Sequence, residues 1–329
     1  MTGRAARIAV VGAGAWGTAL ALVAARAGAD VVLWGRDAAL VEAITATLEN
    51  PAYLPGIRLE PAIRATLDPA DAAGAEIVLF AVPTQVMRQV ATEFAGDVDA
   101  DAFVISCAKG IERATGRLTT DILGEVLPGR EALVLSGPSF ATDVARGLPT
   151  AVTIAAAEFE AAERVCRCLA GPVFRPYASA DPTGVQVGGA LKNVFAIAAG
   201  VVAGRGLGAS AEAALLARGM AEMNRIATAF GGRAETLMGL SGLGDLVLTC
   251  RSLQSRNFSY GHALGTGASP GEVKTVEGVA TAGIAAEWAR AAGVEAPIIT
   301  AVSDVLAHRI GIPDAVSMLM ARPLKREGG

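Results

Sequence analysis

Arg7-Ile8-Ala9-Val10-Val11-Gly12-Ala13-Gly14-Ala15-Trp16-Gly17-Thr18-Ala19-Leu20 is the stretch whose reading decides the fold. An apolar run meets glycines at 12, 14 and 17 and passes into an Ala/Leu-rich segment. A strand, a tight turn and a helix give each glycine its own reason. Gly12 permits the turn, Gly14 lets the backbone approach a pyrophosphate, and Gly17 allows the helix to sit close on the strand. Free N–H groups and the positive end of the helix then favour an anion. The uncharged span from Ile8 to Ala25, behind Arg4 and Arg7, also has the outline of a signal peptide or membrane span. That reading leaves the glycine spacing as coincidence, and Val31-Val32-Leu33-Trp34 follows at once as a second strand. The expectation is a Rossmann-type dinucleotide-binding unit and no membrane span.

The residues after the second strand bear on the cofactor. NAD sites normally place an acidic side chain here against the ribose hydroxyls. Here Trp34-Gly35 leads to Arg36-Asp37. Arg36 could pair with a 2′-phosphate and stack on adenine, which favours NADP, while Asp37 keeps NAD open.

Outward from this turn, short continuously apolar runs alternate with helical stretches: Ile77–Val82, Phe103–Cys107, Ala132–Leu135 and Ala151–Ile154. Such runs suit strands buried on both faces of a parallel sheet, with ligands at their carboxyl ends. The pattern changes near residue 180. Asp181-Pro182 reads as a helix cap followed by proline at the first helical position. Beyond it only helices are expected, at about 183–203, 211–230, 235–249, 256–265, 278–293 and 297–308. The fold class is therefore α/β, with a dinucleotide-binding domain over 1–180 and an all-α domain over 181–329 for substrate and catalysis.

Composition narrows the chemistry. A chain of 329 residues with 52% hydrophobic and 18% charged residues supports two well-buried cores rather than a disordered chain. Its net charge of −4 argues against general nucleic-acid binding. Cys107, Cys166, Cys168 and Cys250 show no repeated metal spacing and read as buried thiols of a reducing, cytoplasmic compartment. The only histidines, His262 and His308, lie in no HExxH pattern, so no metal is expected. Acid–base work then falls to lysine and carboxylates.

Lys109 ends a strand and precedes Gly110, which places an ammonium at the crevice. Lys192 sits in the small-residue run Gly188-Gly189-Ala190-Leu191-Lys192-Asn193, where burial would lower its pKa toward the working range of an acid–base group. The alternative is a lysine snorkelling at a helix edge. Gly242 and Gly244 lead up to Asp245 in Ser241-Gly242-Leu243-Gly244-Asp245-Leu246 and suit a tightly packed backbone that presents a carboxylate. Ser255-Arg256-Asn257 offers hydroxyl, guanidinium, amide and free N–H groups at one helix start, either as a phosphate receptor or as an ordinary capped helix.

These motifs occur together, and in this order, in one family. Trp16-Gly17-Thr18-Ala19-Leu20, Tyr53-Leu54-Pro55-Gly56, Lys109-Gly110, Gly137-Pro138-Ser139-Phe140-Ala141, Leu191-Lys192-Asn193, Gly242-Leu243-Gly244-Asp245-Leu246, Ser255-Arg256-Asn257 and Val276-Glu277-Gly278 resemble the NAD(P)-dependent glycerol-3-phosphate dehydrogenases, most closely the bacterial biosynthetic form. Ala15 stands where some members carry serine. The resemblance implies reversible reduction of dihydroxyacetone phosphate to sn-glycerol 3-phosphate for phospholipid synthesis. It implies Lys192 as proton acceptor or donor, Lys109 as the group that orients the reacting oxygen, and Asp245 as partner of the substrate hydroxyl or of Lys192. Gly137, Ser139, Ser255, Arg256 and Asn257 would hold substrate. Gly12, Gly14, Ala15, Trp16, Gly17, Arg36, Lys109, Ala141, Arg256, Thr275 and Glu277 would line the dinucleotide. Two other readings stand beside it: a two-domain dehydrogenase of a carboxylated substrate (ketopantoate or a β-hydroxy acid), and a non-catalytic NADP sensor. The Ala/Gly-rich C-terminal helices could also bury a homodimer interface.

Overall fold

The computed structural model describes residues 5–269, 271 and 276–323. Its strands are β1 (Arg7–Val11), β2 (Asp30–Trp34), β3 (Glu49–Asn50), β4 (Leu54–Arg58), β5 (Ile63–Thr66), β6 (Ile77–Phe80), β7 (Phe103–Ser106), β8 (Ala132–Ser136), β9 (Thr150–Ala155) and β10 (Phe174–Ser179). Eight of them form one sheet in the order β10-β9-β8-β7-β6-β1-β2-β5, and β3 and β4 form a separate hairpin. From β5 to β8 every neighbour is parallel. The chain runs outward from β1 to β2 and β5, then returns to β6 on the other side of β1. A crevice therefore opens at the carboxyl end of β1, where the order reverses. Helix Ala15–Arg26 leaves that end with Gly17 through Ala24 all buried, as an Ala/Leu-rich crossover packed on a sheet should be.

Several elements depart from the sequence expectation. The strand over Ala151–Ile154 is present, as β9, but it runs antiparallel to β8. The link between them holds only the five-residue helix Ala141–Ala145, which rises about 7 Å and cannot carry the chain back along a strand of roughly 17 Å. The two edge strands, β5 and β10, went unanticipated because Arg64, Thr66, Arg175 and Pro176 break their apolar runs. The helix expected at 235–249 is broken into Ala234–Leu237, a π-turn over Leu240–Gly244 and Asp245–Thr249. Here Gly242 lies so close to Leu237 that a Cβ would overlap its carbonyl. A further helix, Ile312–Met320, follows the last expected one.

After β10 the chain is helical. The Asp181 carboxylate caps helix Pro182–Gly204 by accepting from the Gly184 N–H at 2.8 Å, and it also accepts from the Arg233 N–H at 2.9 Å. By length and composition Pro182–Gly204 could cross a membrane, but 78% of its most apolar window is buried within the protein. It is the core helix of the second layer, and Gly184 through Gly200 are all covered. Helix Arg256–Thr266 packs against it backbone to backbone through Gly200 and Gly261.

Helix Pro297–Leu306 gets its N-terminal acceptor from another helix. Glu222, on Ala209–Ala229, accepts from the Ile298 N–H at 2.8 Å and the Ile299 N–H at 3.1 Å. Burial pushes this carboxyl up to about 7, against the pull of those two donors. A folded-state pKa above the ordinary 4.5 means that the contribution to stability is full below that value and is lost as pH rises through about 7. The expected result is that Glu222→Gln gains on wild type by about 2 kcal/mol between pH 5 and 8. Denaturant unfolding of both proteins at the two pH values checks it, and parallel stability curves would refute it.

Candidate active site

The glycine turn meets the packing its spacing demands. Gly12 has φ +118°, and a Cβ there would lie 2.9 Å from the Ala81 carbonyl oxygen. A Cβ on Gly17 would overlap the Gly12 carbonyl, so strand and helix touch only because both lack one. Gly14 is different: its Cβ would meet nothing within 4 Å. The turn is closed below and open above, which is the shape a pyrophosphate requires. Buried polar atoms without a partner among the described residues include Trp16 Nε1 and Thr84 Oγ1, and Ala15 begins the helix with no side-chain cap. These vacant donors at the carboxyl ends of β1 and β6 fit a bound dinucleotide. Arg36 is exposed at the end of β2. Asp37, by contrast, uses its carboxylate to cap helix Ala38–Thr47 through the Leu40 N–H at 3.2 Å. Ala141 opens its short helix beyond Gly137 and Ser139, and Thr275 lies outside the described residues.

Three titratable groups from three elements converge. Lys109, just past β7, donates to Asp245 Oδ2 at 2.7 Å and to the Gly137 carbonyl at 2.8 Å. Lys192, midway along Pro182–Gly204, donates to Asp245 Oδ1 and to Thr249 Oγ1, the latter at 2.8 Å. Asp245 is positioned by the π-turn that ends at Gly244. Burial lowers the Lys192 amine, the Asp245 carboxylate raises it, and Lys109 lowers it again, for a net value of about 7. Burial alone would push the Asp245 carboxyl up, but Lys109 and Lys192 outweigh it and hold it below its ordinary value. The result is a charged carboxylate beside an ammonium that can lose its proton near neutral pH. That pairing suits proton transfer to a substrate oxygen.

Side-chain amides fix this constellation. Asn193 Nδ2 donates to the Lys109 carbonyl at 3.0 Å, and Asn257 Nδ2 donates to Asn193 Oδ1 at 3.0 Å. Asn257 Oδ1 in turn accepts from the Gly278 N–H at 2.9 Å. The Asn257 carboxamide thus holds three helices together, so only part of its hydrogen-bonding capacity remains for a ligand. Ser255 caps its helix by accepting from the Phe258 N–H at 3.2 Å, and Arg256 is exposed beside it. Ser139 donates to the Gly137 carbonyl at 3.0 Å. Glu277 accepts from the Thr84 N–H at 3.2 Å and so joins the helical layer to the carboxyl end of β6. Burial pushes its carboxyl up, with Thr84 and Arg256 opposing.

Sequence reading missed Thr249 and the structural part of Asn193. Thr249 lies four residues after Asp245, one helical turn on and on the same face, so the spacing carried the signal.

Two profiles of one family match the chain. The N-terminus of NAD-dependent glycerol-3-phosphate dehydrogenase matches residues 7–162 and its C-terminus residues 181–317. The glycerol-3-phosphate dehydrogenase [NAD(P)+] of Methylobacterium radiotolerans is 54% identical over 322 residues, covering 97% of each chain. That of Brucella ovis is 52% identical, covering 98% of this chain and 99% of the relative. The crystal structure of glycerol-3-phosphate dehydrogenase from Coxiella burnetii superposes with a TM-score of 0.91 at 37% identity, over 97% of this chain and 99% of that one. A ketopantoate reductase from Ralstonia eutropha shares the fold alone, with a TM-score of 0.60 at 20% identity over 92% of this chain and 97% of that one. With both profiles matched and relatives alike along almost their whole length, this chain belongs to the NAD-dependent glycerol-3-phosphate dehydrogenase family.

Proposed function

We propose that the protein reduces dihydroxyacetone phosphate to sn-glycerol 3-phosphate with NAD(P)H, reversibly, and so supplies phospholipid synthesis in the cytoplasm. The carrying observation is the meeting of Lys109 and Lys192 on one buried Asp245. The unit over 1–180 holds the dinucleotide, and the unit over 181–329 brings Lys192, Asp245 and the Ser255–Asn257 segment. The glycine turn after β1 would hold NAD(P)H, which when bound would provide the hydride for C2 of the ketone. Lys192 hydrogen-bonds the C2 oxygen and gives it a proton as the alkoxide develops, and in the reverse direction the neutral amine takes that proton back. Lys109 adds a second positive charge beside the same oxygen, and Asp245 keeps both amines in place. Gly137, Ser139 and the Ser255–Asn257 helix start hold the rest of the substrate, with Arg256 on its phosphate. Arg36, exposed while Asp37 is engaged as a cap, supports NADPH over NADH. The Ala/Gly-rich C-terminal helices are where we place a homodimer interface.

Initial rates of NADPH and NADH oxidation with dihydroxyacetone phosphate, and with ketopantoate in parallel, test this reading. Turnover of ketopantoate alone would overturn it, as would tight NADPH binding without oxidation by any keto-phosphate. Within the same assay, Arg256→Ala is expected to raise KM for dihydroxyacetone phosphate by roughly ten- to a hundredfold, the worth of a charge-assisted phosphate contact. An unchanged KM would remove Arg256 from the phosphate site.

A further inference from the structure

Asn50 is fully buried, and its partners lie on the glycine turn, the helix after it and the loop beyond Asn50 itself. Its Nδ2 donates to the Ala13 carbonyl at 2.9 Å and to Thr18 Oγ1 at 2.8 Å, while its Oδ1 accepts from the Tyr53 N–H at 3.1 Å. The amide therefore spends its bonds on joining hairpin β3–β4 to the turn between β1 and the first helix.

The bond to Ala13 has a consequence through the peptide plane. In a trans peptide the carbonyl of one residue and the N–H of the next point in opposite directions. Asn50 draws the Ala13 carbonyl inward, so the Gly14 N–H faces the open side, where a Cβ on Gly14 would meet nothing within 4 Å. The next carbonyl, of Gly14, is withdrawn in the same sense by the Thr18 N–H at 2.9 Å. With these two successive carbonyls turned away, neither sets an oxygen against an anion at the mouth of the turn. Glycine at position 14 leaves φ on the far side of this peptide soft. Without a fixed acceptor bond the plane could rotate and set a carbonyl oxygen against a phosphate.

We propose that Asn50 is a positioning residue for the cofactor: it locks the Ala13–Gly14 peptide with its N–H toward the pyrophosphate. The proposal rests on the dinucleotide reading of this turn. It separates two contributions to cofactor affinity, since orientation of the turn should affect the pyrophosphate and leave the adenosine end alone.

The test compares wild type with Asn50→Ala, using NADPH and adenosine 2′-monophosphate, a fragment that lacks the pyrophosphate. NADPH dissociation constants come from protein fluorescence, and the fragment is titrated as a competitor of NADPH. The expected result is about a tenfold weaker NADPH complex, the worth of one charge-assisted hydrogen bond, with fragment affinity within about twofold of wild type. In turnover, the loss should fall on KM for NADPH rather than on kcat. Equal losses for NADPH and the fragment would overturn the proposal by showing general loosening of the loop, and so would unchanged NADPH affinity. Asn50→Ser, which keeps a short polar side chain, carries the same comparison if the alanine variant does not fold. Failure of wild type to oxidise NADPH with dihydroxyacetone phosphate would sink the proposed reaction yet leave this binding comparison readable.

Discussion

Lys192→Met should lower kcat for dihydroxyacetone phosphate reduction by about a thousandfold or more, with NADPH affinity within about threefold of wild type. Methionine fills nearly the volume of the lysine stem, so the packed helix Pro182–Gly204 keeps its neighbours. What disappears is the proton at the C2 oxygen and one of the two positive charges there. Asp245 retains Lys109 as its partner at 2.7 Å, so the carboxylate is not left alone in the core. The residual rate should come from positioning and from Lys109. Initial-rate kinetics alongside a fluorescence titration of NADPH make the measurement. A variant with near-normal turnover would remove Lys192 from the chemistry and send the search to Lys109.

Asp245→Asn should have the broader effect, because one carboxylate serves two amines. Its loss leaves buried positive charges without a counter-ion, and breaking such a pair costs about 3–5 kcal/mol. With the raising influence of Asp245 gone, the Lys192 amine falls below its present value of about 7 and is neutral in a neutral assay. Reduction needs the protonated amine. In wild type, kcat for reduction should therefore decline as pH rises through about 7, while kcat for glycerol 3-phosphate oxidation climbs over the same range. In the variant the reduction profile should move to lower pH, with kcat at pH 7.5 down by about a hundredfold. Full pH–rate profiles in both directions, with thermal melts, provide the check. A lower Tm with an unmoved profile would make Asp245 a structural residue only.

Much of this site was legible in the residues, for a physical reason. Glycines at 12 and 17 are demanded by backbone contact, and an isolated lysine in an Ala/Gly-rich helix has few innocent explanations, so Lys192 could be singled out before any fold was known. Lys109 and Asp245 were legible as individual groups, but their meeting was not, since 136 residues separate them. The Asn193 and Asn257 amides were hidden for a related reason: a polar residue inside a helix looks alike whether it faces solvent or ties elements together. In the fold, strands covered on both faces stood out as apolar runs, whereas the half-wet edges β5 and β10 did not. The direction of β9 depended on the length of the helix before it, which composition does not encode. The break around the π-turn came from the contact between Gly242 and Leu237, which no periodicity registers.

The chain as a whole carries a net charge of −4. Its catalytic cluster, with Lys192 protonated, sums to plus one, and Arg256 stands nearby. A doubly negative phosphate ester is thus attracted to this cluster even though the net charge of the chain has its own sign. In a water-poor recess such attraction is weakly screened, so it acts most strongly over the last few ångströms. The pull on an anion is therefore local, set by Lys109, Lys192 and Arg256 around one carboxylate rather than by the charge of the whole chain.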